Sequence, residues 1–153
     1  MSCPSLPRAF RAPVILAVVV LLGGCARAHE PRLETWENGA YQPRAIRSCE
    51  VTGRRDGATT TAVAVVTLDD GRPLRVELTI EYNPTPVLGS SRWHLDGPGG
   101  GSGDVRAESI KFLGGQGEGP SFGGRLRLEA NGSPRFRLTL PARPLGRPRG
   151  LKL

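Results

Sequence analysis

The chain is poor in the residues that most often build catalytic and metal centres. Among its 153 residues there are two histidines, three cysteines and one methionine, and aromatic residues make up 5% of the total. A zinc site normally needs three or four ligands, which two histidines do not suggest. Gly119-Pro120-Ser121-Phe122-Gly123 has the Gly-x-Ser-x-Gly spacing found in many hydrolases, but it leads into a predicted strand rather than a helix, so it is not a nucleophile elbow. We therefore expect no catalytic residues, no metal site and no cofactor.

Long apolar runs are equally scarce. The most extended one covers residues 14–22, whereas a membrane-spanning helix needs about 20 apolar residues. Arg8 and Arg11 precede this run, and Gly23 and Gly24 follow it. The order of charged, apolar and small residues is that of a signal peptide for export.

Residues Leu22-Gly23-Gly24-Cys25 resemble the lipobox of bacterial lipoproteins. The resemblance implies cleavage before Cys25, diacylation of its sulfur and usually acylation of the new amino group. An ordinary signal peptide that happens to contain a cysteine is the alternative. Residues 1–24 are thus predicted to be a lipoprotein signal peptide. The protein is expected on the extracytoplasmic side of the bacterial cell envelope, on the periplasmic face of the outer membrane if there are two membranes.

Removal of residues 1–24 leaves 129 residues with 19 basic and 14 acidic side chains, which is enough for one domain. Nucleic acid is a poor partner for this basic chain, because the signal peptide directs it out of the cytoplasm. Cys49 is the one thiol left once Cys3 is removed and Cys25 carries lipid, so no intramolecular disulfide is expected. We interpret Cys49 as a small buried apolar residue. A reactive or intermolecular thiol is the alternative.

Composition divides the mature chain into three parts. Residues 25–44 are predicted to be the lipid-anchored cysteine and a flexible tether, since they contain Pro31, Gly39 and Pro43 without a clean period. Trp36 and Tyr41 in this segment are expected to pack on the domain or to sit at the lipid interface.

Residues 45–141 are predicted to be a β domain. Residues 142–153 hold four cations and no acid, and they are predicted to be a disordered basic tail or to contact an anionic membrane.

The period of apolar residues in the β domain is two, which indicates strands. Asp69-Asp70-Gly71 marks a hairpin turn, and residues 83–104 and 114–120 are glycine-rich loops. The expected fold is all-β, a small antiparallel β-sandwich or barrel of about six strands. These strands are predicted at residues 45–52, 59–68, 74–82, 105–113, 122–129 and 135–140.

The last predicted hairpin has an unusual charge pattern. A three-residue loop at 130–132 would place four arginines in two like-charged pairs across the strands, which are Arg127 with Arg135 and Arg125 with Arg137. Such pairs repel by about 0.2–1 kcal/mol each. A neighbouring strand carrying Glu77 and Glu81 would neutralise them. The alternative is contact between these arginines and an anionic lipid, glycan or protein.

Trp93-His94-Leu95-Asp96 is the one place where an aromatic, an imidazole and a carboxylate cluster. His94 and Asp96 would share a side of a strand. Trp93, His94 and Asp96 are candidates for a loop contact, although Trp93 is better suited to the core than to a sugar contact. Taken together, the sequence favours a lipid-anchored, non-catalytic interaction module or accessory subunit that presents loops or a sheet edge to another envelope protein. A lipid- or glycan-binding β domain is the alternative, and a hydrolase is a third class.

Overall fold

Alternating apolar residues produce strands along almost all of the chain that the structure describes. The computed structural model describes residues 30–82, 85–114 and 120–145, and no helix occurs within these ranges. The signal peptide, Cys25, His29, most of the loop 114–120 and residues 146–153 lie outside them. The ten strands are β1 (Arg32–Glu37), β2 (Ala40–Arg44), β3 (Ile46–Asp56), β4 (Thr59–Leu68), β5 (Pro73–Tyr82), β6 (Pro86–Leu88), β7 (Arg92–Leu95), β8 (Gly101–Gly114), β9 (Pro120–Ala130) and β10 (Ser133–Pro144).

All strand pairs are antiparallel and belong to one sheet. Its order is β2-β1-β10-β9-β8-β7-β5-β4-β3, with β6 pairing on the end of β5. The prediction of an all-β antiparallel fold is confirmed, but the described residues form ten strands rather than the six predicted. One curled sheet takes the place of a two-layered sandwich. Although β2 and β3 are opposite edges of the sheet, only Ala45 separates them in the chain, which requires the sheet to curl.

The core lies on the concave face of this sheet. On β4 and β5 every second side chain is buried, as the alternation predicted. Cys49 and Val51 of the edge strand β3 pack against the same cluster, so the two edges curve towards one interior. The fully buried side chains are mainly aliphatic and include Leu68, Leu74, Val76, Leu78, Ile80, Leu95, Leu126, Leu128 and Leu138.

The predicted tether is wrong for residues 32–44, which form the β1–β2 hairpin at one edge of the sheet. Asn38 and Gly39 make its two-residue turn, with φ of 51° and 81°, the left-handed values that such turns require. Leu33 is its one fully buried apolar side chain. That single buried residue explains why the segment shows no clear period.

The predicted loop 83–104 also contains strands, because β6, β7 and the start of β8 lie within it. Gly101 and Gly103 belong to β8 and lie beneath the Trp93 ring. A Cβ atom on Gly103 would come 3.0 Å from Trp93 Nε1, and one on Gly101 would come 3.5 Å from the ring. Two glycines of this run are therefore a surface on which the indole packs rather than part of a flexible connection.

The β9–β10 hairpin has a different register from the predicted one. Its turn has two residues, Asn131 and Gly132, both with positive φ, and a bulge at Arg135 follows. Arg127 therefore faces Arg137, and Arg125 faces Thr139. The strand β10 also continues to Pro144, three residues into the segment predicted as a disordered tail. The apolar face predicted for the hairpin is nevertheless confirmed, since Leu126, Leu128, Phe136 and Leu138 are buried.

Candidate functional site

A mixed network of arginines and glutamates covers the outer face of β8, β9, β10 and β1. Arg106, Arg127 and Arg137 face one another across three neighbouring strands, and Glu34 on β1 faces Arg137. Like charges are therefore next to each other, although neither of the predicted pairs, Arg127 with Arg135 and Arg125 with Arg137, is formed. The residues that neutralise them are Glu34, Glu108 and Glu129, rather than the predicted Glu77 and Glu81.

Glu129 joins this network to the core. Arg106 Nε donates a hydrogen bond of 2.9 Å to Glu129 Oε2, and Arg127 Nε lies 2.7 Å from Oε1. The glutamate side chain is only 9% exposed, so two cations balance a nearly buried carboxylate. Its backbone carbonyl accepts a hydrogen bond of 2.9 Å from Trp93 Nε1.

Arg137 is the cation nearest to the β1–β2 hairpin. Its Nε lies 3.1 Å from Glu108, and Nη1 lies 3.7 Å from Glu34. Its guanidinium carbon lies 3.6 Å from the centre of the Tyr41 ring, a distance suited to a cation–π contact. Burial raises the pKa of the Tyr41 hydroxyl, and the positive charge of Arg137 partly opposes that rise.

The four arginines predicted to bind an anion do not form one site. Arg127 and Arg137 belong to the network, where glutamates balance them. Arg125 is exposed and its backbone N–H donates to Ser109. Arg135, in the bulge, contacts the Gly99 carbonyl at 3.4 Å. The like-charge pairs are thus offset within the domain, and an anionic partner is not required to explain them.

Trp93, His94 and Asp96 are likewise divided between the two faces of the sheet. Trp93 is 2% exposed and packs edge-on against Phe136 at 5.4 Å, which assigns it to the core. His94 Nε2 lies 2.8 Å from Asp96 Oδ1, and both side chains are exposed. A contact at this position would therefore involve His94 and Asp96 without the indole.

The structure shows a feature that sequence patterns missed, a cleft between β3 and β10. We call it the β3 cleft. It encloses about 410 Å³. Residues 49–52 of β3 form one side, and the rest of the lining consists of Pro31, Phe122, Leu140, Pro141, Arg143 and Pro144. The two sides meet beyond Thr52, where the Leu145 side chain lies against Gly53 of β3.

Cys49 lies on the β3 side of this cleft and is half-buried. Burial raises the pKa of the Cys49 thiol to about 11, although the positive charge of Arg143 opposes the rise. A thiol with this pKa is almost wholly protonated at neutral pH, and the thiolate is the nucleophilic form. The geometry therefore favours the interpretation of Cys49 as a packing residue over that of a reactive thiol.

In the turn between β4 and β5, Arg72 fixes the loop that follows β7. Its Nη1 donates to the carbonyl oxygens of Asp96 and Pro98, at 2.8 and 2.7 Å. The same guanidinium binds the Asp70 carboxylate at 2.7 Å and holds the pKa of Asp70 below its usual value. No local pattern in the sequence marks this link, because Arg72 and Pro98 are far apart in the chain.

Comparison with protein-family models, with curated proteins and with solved structures gives no match for this chain. In the described part of the chain, no three or more His, Cys, Asp or Glu residues group closely enough to hold a metal ion. Over the same residues, a search for helices of sufficient length and hydropathy to cross a bilayer finds none.

Proposed function

We propose that this protein is a lipid-anchored module of the bacterial cell envelope that binds another envelope component and has no catalytic role. The lipobox-like residues before Cys25 support the anchor. The short connection between Cys25 and the first strand supports a function next to the membrane. Because β1 begins at Arg32, the chain from Cys25 to the first strand can span at most about 25 Å. The domain would thus be held close to the bilayer surface.

An edge of the sheet that has no further partner among the described strands supports binding as the function. Edge strands present unpaired N–H and C=O groups, which other chains can use. The strand β3 is such an edge, and a cleft with partly apolar walls lies beside it. This combination, rather than the charged network, carries the proposal of an interaction module, because the network is balanced within the domain.

Metabolic labelling with an alkyne analogue of palmitate tests the anchor. The wild-type protein and Cys49→Ser should both incorporate the label in the native cells. Cys25→Ser should incorporate none and should leave the membrane fraction. Label that persists in Cys25→Ser, or is lost in Cys49→Ser, would contradict the assignment of Cys25 as the lipidated residue.

Crosslinking in living cells, followed by isolation of the tagged protein and mass spectrometry, tests the partner. We expect one abundant envelope protein attached to the bait, as for an accessory subunit. Residues of the β3 cleft should supply the crosslinks. Crosslinks that are spread evenly over the domain would contradict a defined binding surface.

A lipid- or glycan-binding domain is the second candidate. The Val51, Phe122 and Leu140 side chains that line the cleft favour it, since ligand sites are mostly apolar with a few polar groups. Native mass spectrometry of protein purified from its own membrane would show a bound amphiphile of constant mass. If only the free chain is detected, this second candidate is refuted.

A further inference from the structure

The antiparallel pairing of the strands sorts the connections between them into two ends of the sheet. β4 begins after the β3–β4 turn, residues 57–58, and ends at the β4–β5 turn, residues 69–72. β5 therefore ends beside the β3–β4 turn, where the Tyr82 N–H donates to the Ala58 carbonyl at 2.9 Å. We call this end the Tyr82 end and the other, which contains Arg72, the Arg72 end.

The chain enters the domain from the side of the Tyr82 end. β5, β8 and β10 run in one direction, because β7 and β9 lie between them and every pair is antiparallel. β1 runs the opposite way beside β10, so its first residue, Arg32, is the residue of β1 nearest to the Tyr82 end. Pro31, just before it, lies close to Arg143 and Pro144 at the end of β10.

The short connection to Cys25 disfavours contact between the Arg72 end and the membrane. Seven residues run from Cys25 to Pro31. To bring Cys25 to the Arg72 end they would have to reverse direction, which takes at least about two residues, and then return along β1. The remaining five span at most about 17 Å. The six residues of β1 rise about 20 Å, so the segment is too short.

Exposed apolar side chains lie at the Tyr82 end. Among the described residues, the exposed large hydrophobic side chains are Trp36, Tyr82 and Val87. Tyr82 is 45% exposed, because it lies beyond Ile80, the last buried residue of β5. Val87 on the adjoining β6 is 56% exposed, and the Phe112 ring lies 6.3 Å from that of Tyr82. Tyrosine, with an apolar ring and a polar hydroxyl, is enriched where proteins meet the membrane–water interface.

Charges at the Tyr82 end are compatible with lipid headgroups. Arg54 and Arg55 precede the β3–β4 turn and Lys111 lies near the end of β8, and all three are exposed. The exposed acids Asp56 and Glu81 lie at the same end. Because these charges almost balance, the apolar side chains rather than a charge excess would supply the contact.

The Arg72 end has a different surface. Its turns carry Asp69, Asp70 and Asp96, which an anionic membrane would repel. Trp36 lies near this end, but its ring packs edge-on against Tyr41 at 4.7 Å, and it is less exposed than Tyr82 or Val87.

We propose that the Tyr82 end lies against the bilayer that holds Cys25, with Tyr82 and Val87 in the headgroup region. This inference rests on the proposed lipid anchor and adds to it the surface of the domain that contacts lipid. The Arg72 end, with its turns, then faces away from the membrane.

Tryptophan reporters in the acylated protein test this orientation. The protein is purified from its own membranes and placed in vesicles of phosphatidylethanolamine and phosphatidylglycerol, with or without bromine on the acyl chains near the headgroups. Bromine quenches nearby indoles. In Tyr82→Trp, brominated lipid should lower the fluorescence by about a third, because one of three tryptophans lies at the interface. The wild-type protein and the matched variant Ser133→Trp, next to the β9–β10 turn, should lose less than about a tenth.

A charged substitution tests the part played by Val87. In the Tyr82→Trp background, Val87→Asp should reduce the quenching by at least about half, because a carboxylate leaves water at a cost. Ser133→Asp, which introduces the same charge at the other end, should leave the quenching unchanged. Circular dichroism checks that each variant is folded.

A phospholipid with a photoactivatable headgroup tests the wild-type protein without any substitution. After irradiation of the vesicles, mass spectrometry should find the label on residues 54–58 and 81–88. Residues 69–72 and 96–100 at the Arg72 end should carry none.

Three results would overturn the proposal: quenching of Trp36 in the wild-type protein, equal quenching of Tyr82→Trp and Ser133→Trp, or photolabel concentrated at the Arg72 end. Palmitate labelling of Cys25 separates this inference from the anchor. Label on Cys25 without quenching of Tyr82→Trp would refute the orientation and leave the anchor standing. Absence of label would refute the anchor itself, on which the orientation depends.

Discussion

The substitution Gly103→Ala should destabilise the domain severely. Gly103 lies in β8 between Trp93 of β7 and the β9 strand. A Cβ atom at this position would come 1.8 Å from the Glu129 carbonyl oxygen and 3.0 Å from Trp93 Nε1. These are the two atoms that form the buried indole hydrogen bond of 2.9 Å. The added methyl group must therefore separate β8 from β9 or displace the indole.

The expected cost combines two effects. Overpacking of a tightly filled site costs about 1–3 kcal/mol. Breaking a buried hydrogen bond, so that its donor and acceptor stay buried without partners, costs about 1–3 kcal/mol more. The free energy of unfolding should therefore fall by about 2–6 kcal/mol, against a total of about 5–15 kcal/mol for a typical domain. A loss of this size leaves the protein marginally folded at room temperature.

Urea unfolding followed by circular dichroism and tryptophan fluorescence would measure this loss. Ser102→Ala, at the neighbouring exposed position, is the matched control and should change stability by less than about 0.5 kcal/mol. Trp93→Phe should cost about 1–3 kcal/mol alone, because it leaves the Glu129 carbonyl unpaired. The double variant with Trp93→Phe and Gly103→Ala should lose less unfolding free energy than the sum of the two single losses, since both substitutions act on the same hydrogen bond. An unfolding free energy for Gly103→Ala within about 0.5 kcal/mol of wild type would refute this reasoning.

Two further predictions concern ionisable groups. Glu129→Gln removes the carboxylate that balances Arg106 and Arg127, and it should lower the free energy of unfolding by about 1.5–3 kcal/mol in a urea titration. Glu77→Gln, which is exposed, is its control and should change little. Alkylation of Cys49 by iodoacetamide should be about 100-fold slower at pH 8 than alkylation of a cysteine in a short peptide. The rate should increase as the pH is raised towards about 11, which is the pKa of the Cys49 thiol in the folded protein. An unfolded sample in urea is the reference, and equal rates in the folded and unfolded samples would contradict a buried thiol.

Strands with one buried face were predictable, because their pattern is local. β4 and the main part of β5 lie where alternation of Val, Ala, Leu and Ile predicted them. The β1–β2 hairpin was missed although Asn38-Gly39 is a strong turn signal, because only Leu33 among its side chains is fully buried. The start of β8 was missed for another reason. The glycines on which the Trp93 ring packs have the same composition as a flexible loop, so composition did not reveal that they belong to a strand.

The candidate site was predictable only in part. The like-charged arginines could be recognised in the sequence, but a bulge at Arg135 changed which of them are paired. The glutamates that balance them come from β1 and β8, and sequence proximity does not reveal such partners. The β3 cleft depends on how far the sheet curls and where prolines interrupt β10. Neither property follows from the period of a single strand.

The pairing of β1 with β10 has a consequence for the order of folding. Arg32 pairs with Thr139 of β10, so the β1–β2 hairpin has no neighbouring strand on its β1 side until β10 has been synthesised. Contacts between such distant residues carry a large loop-closure cost and slow the folding of β proteins. A nascent chain would therefore keep Leu33 and the exposed side of β1 uncovered until β10 arrives. A chain shortened before β10 would expose the same surface permanently. Correct folding of this protein in the cell therefore depends on synthesis of β10.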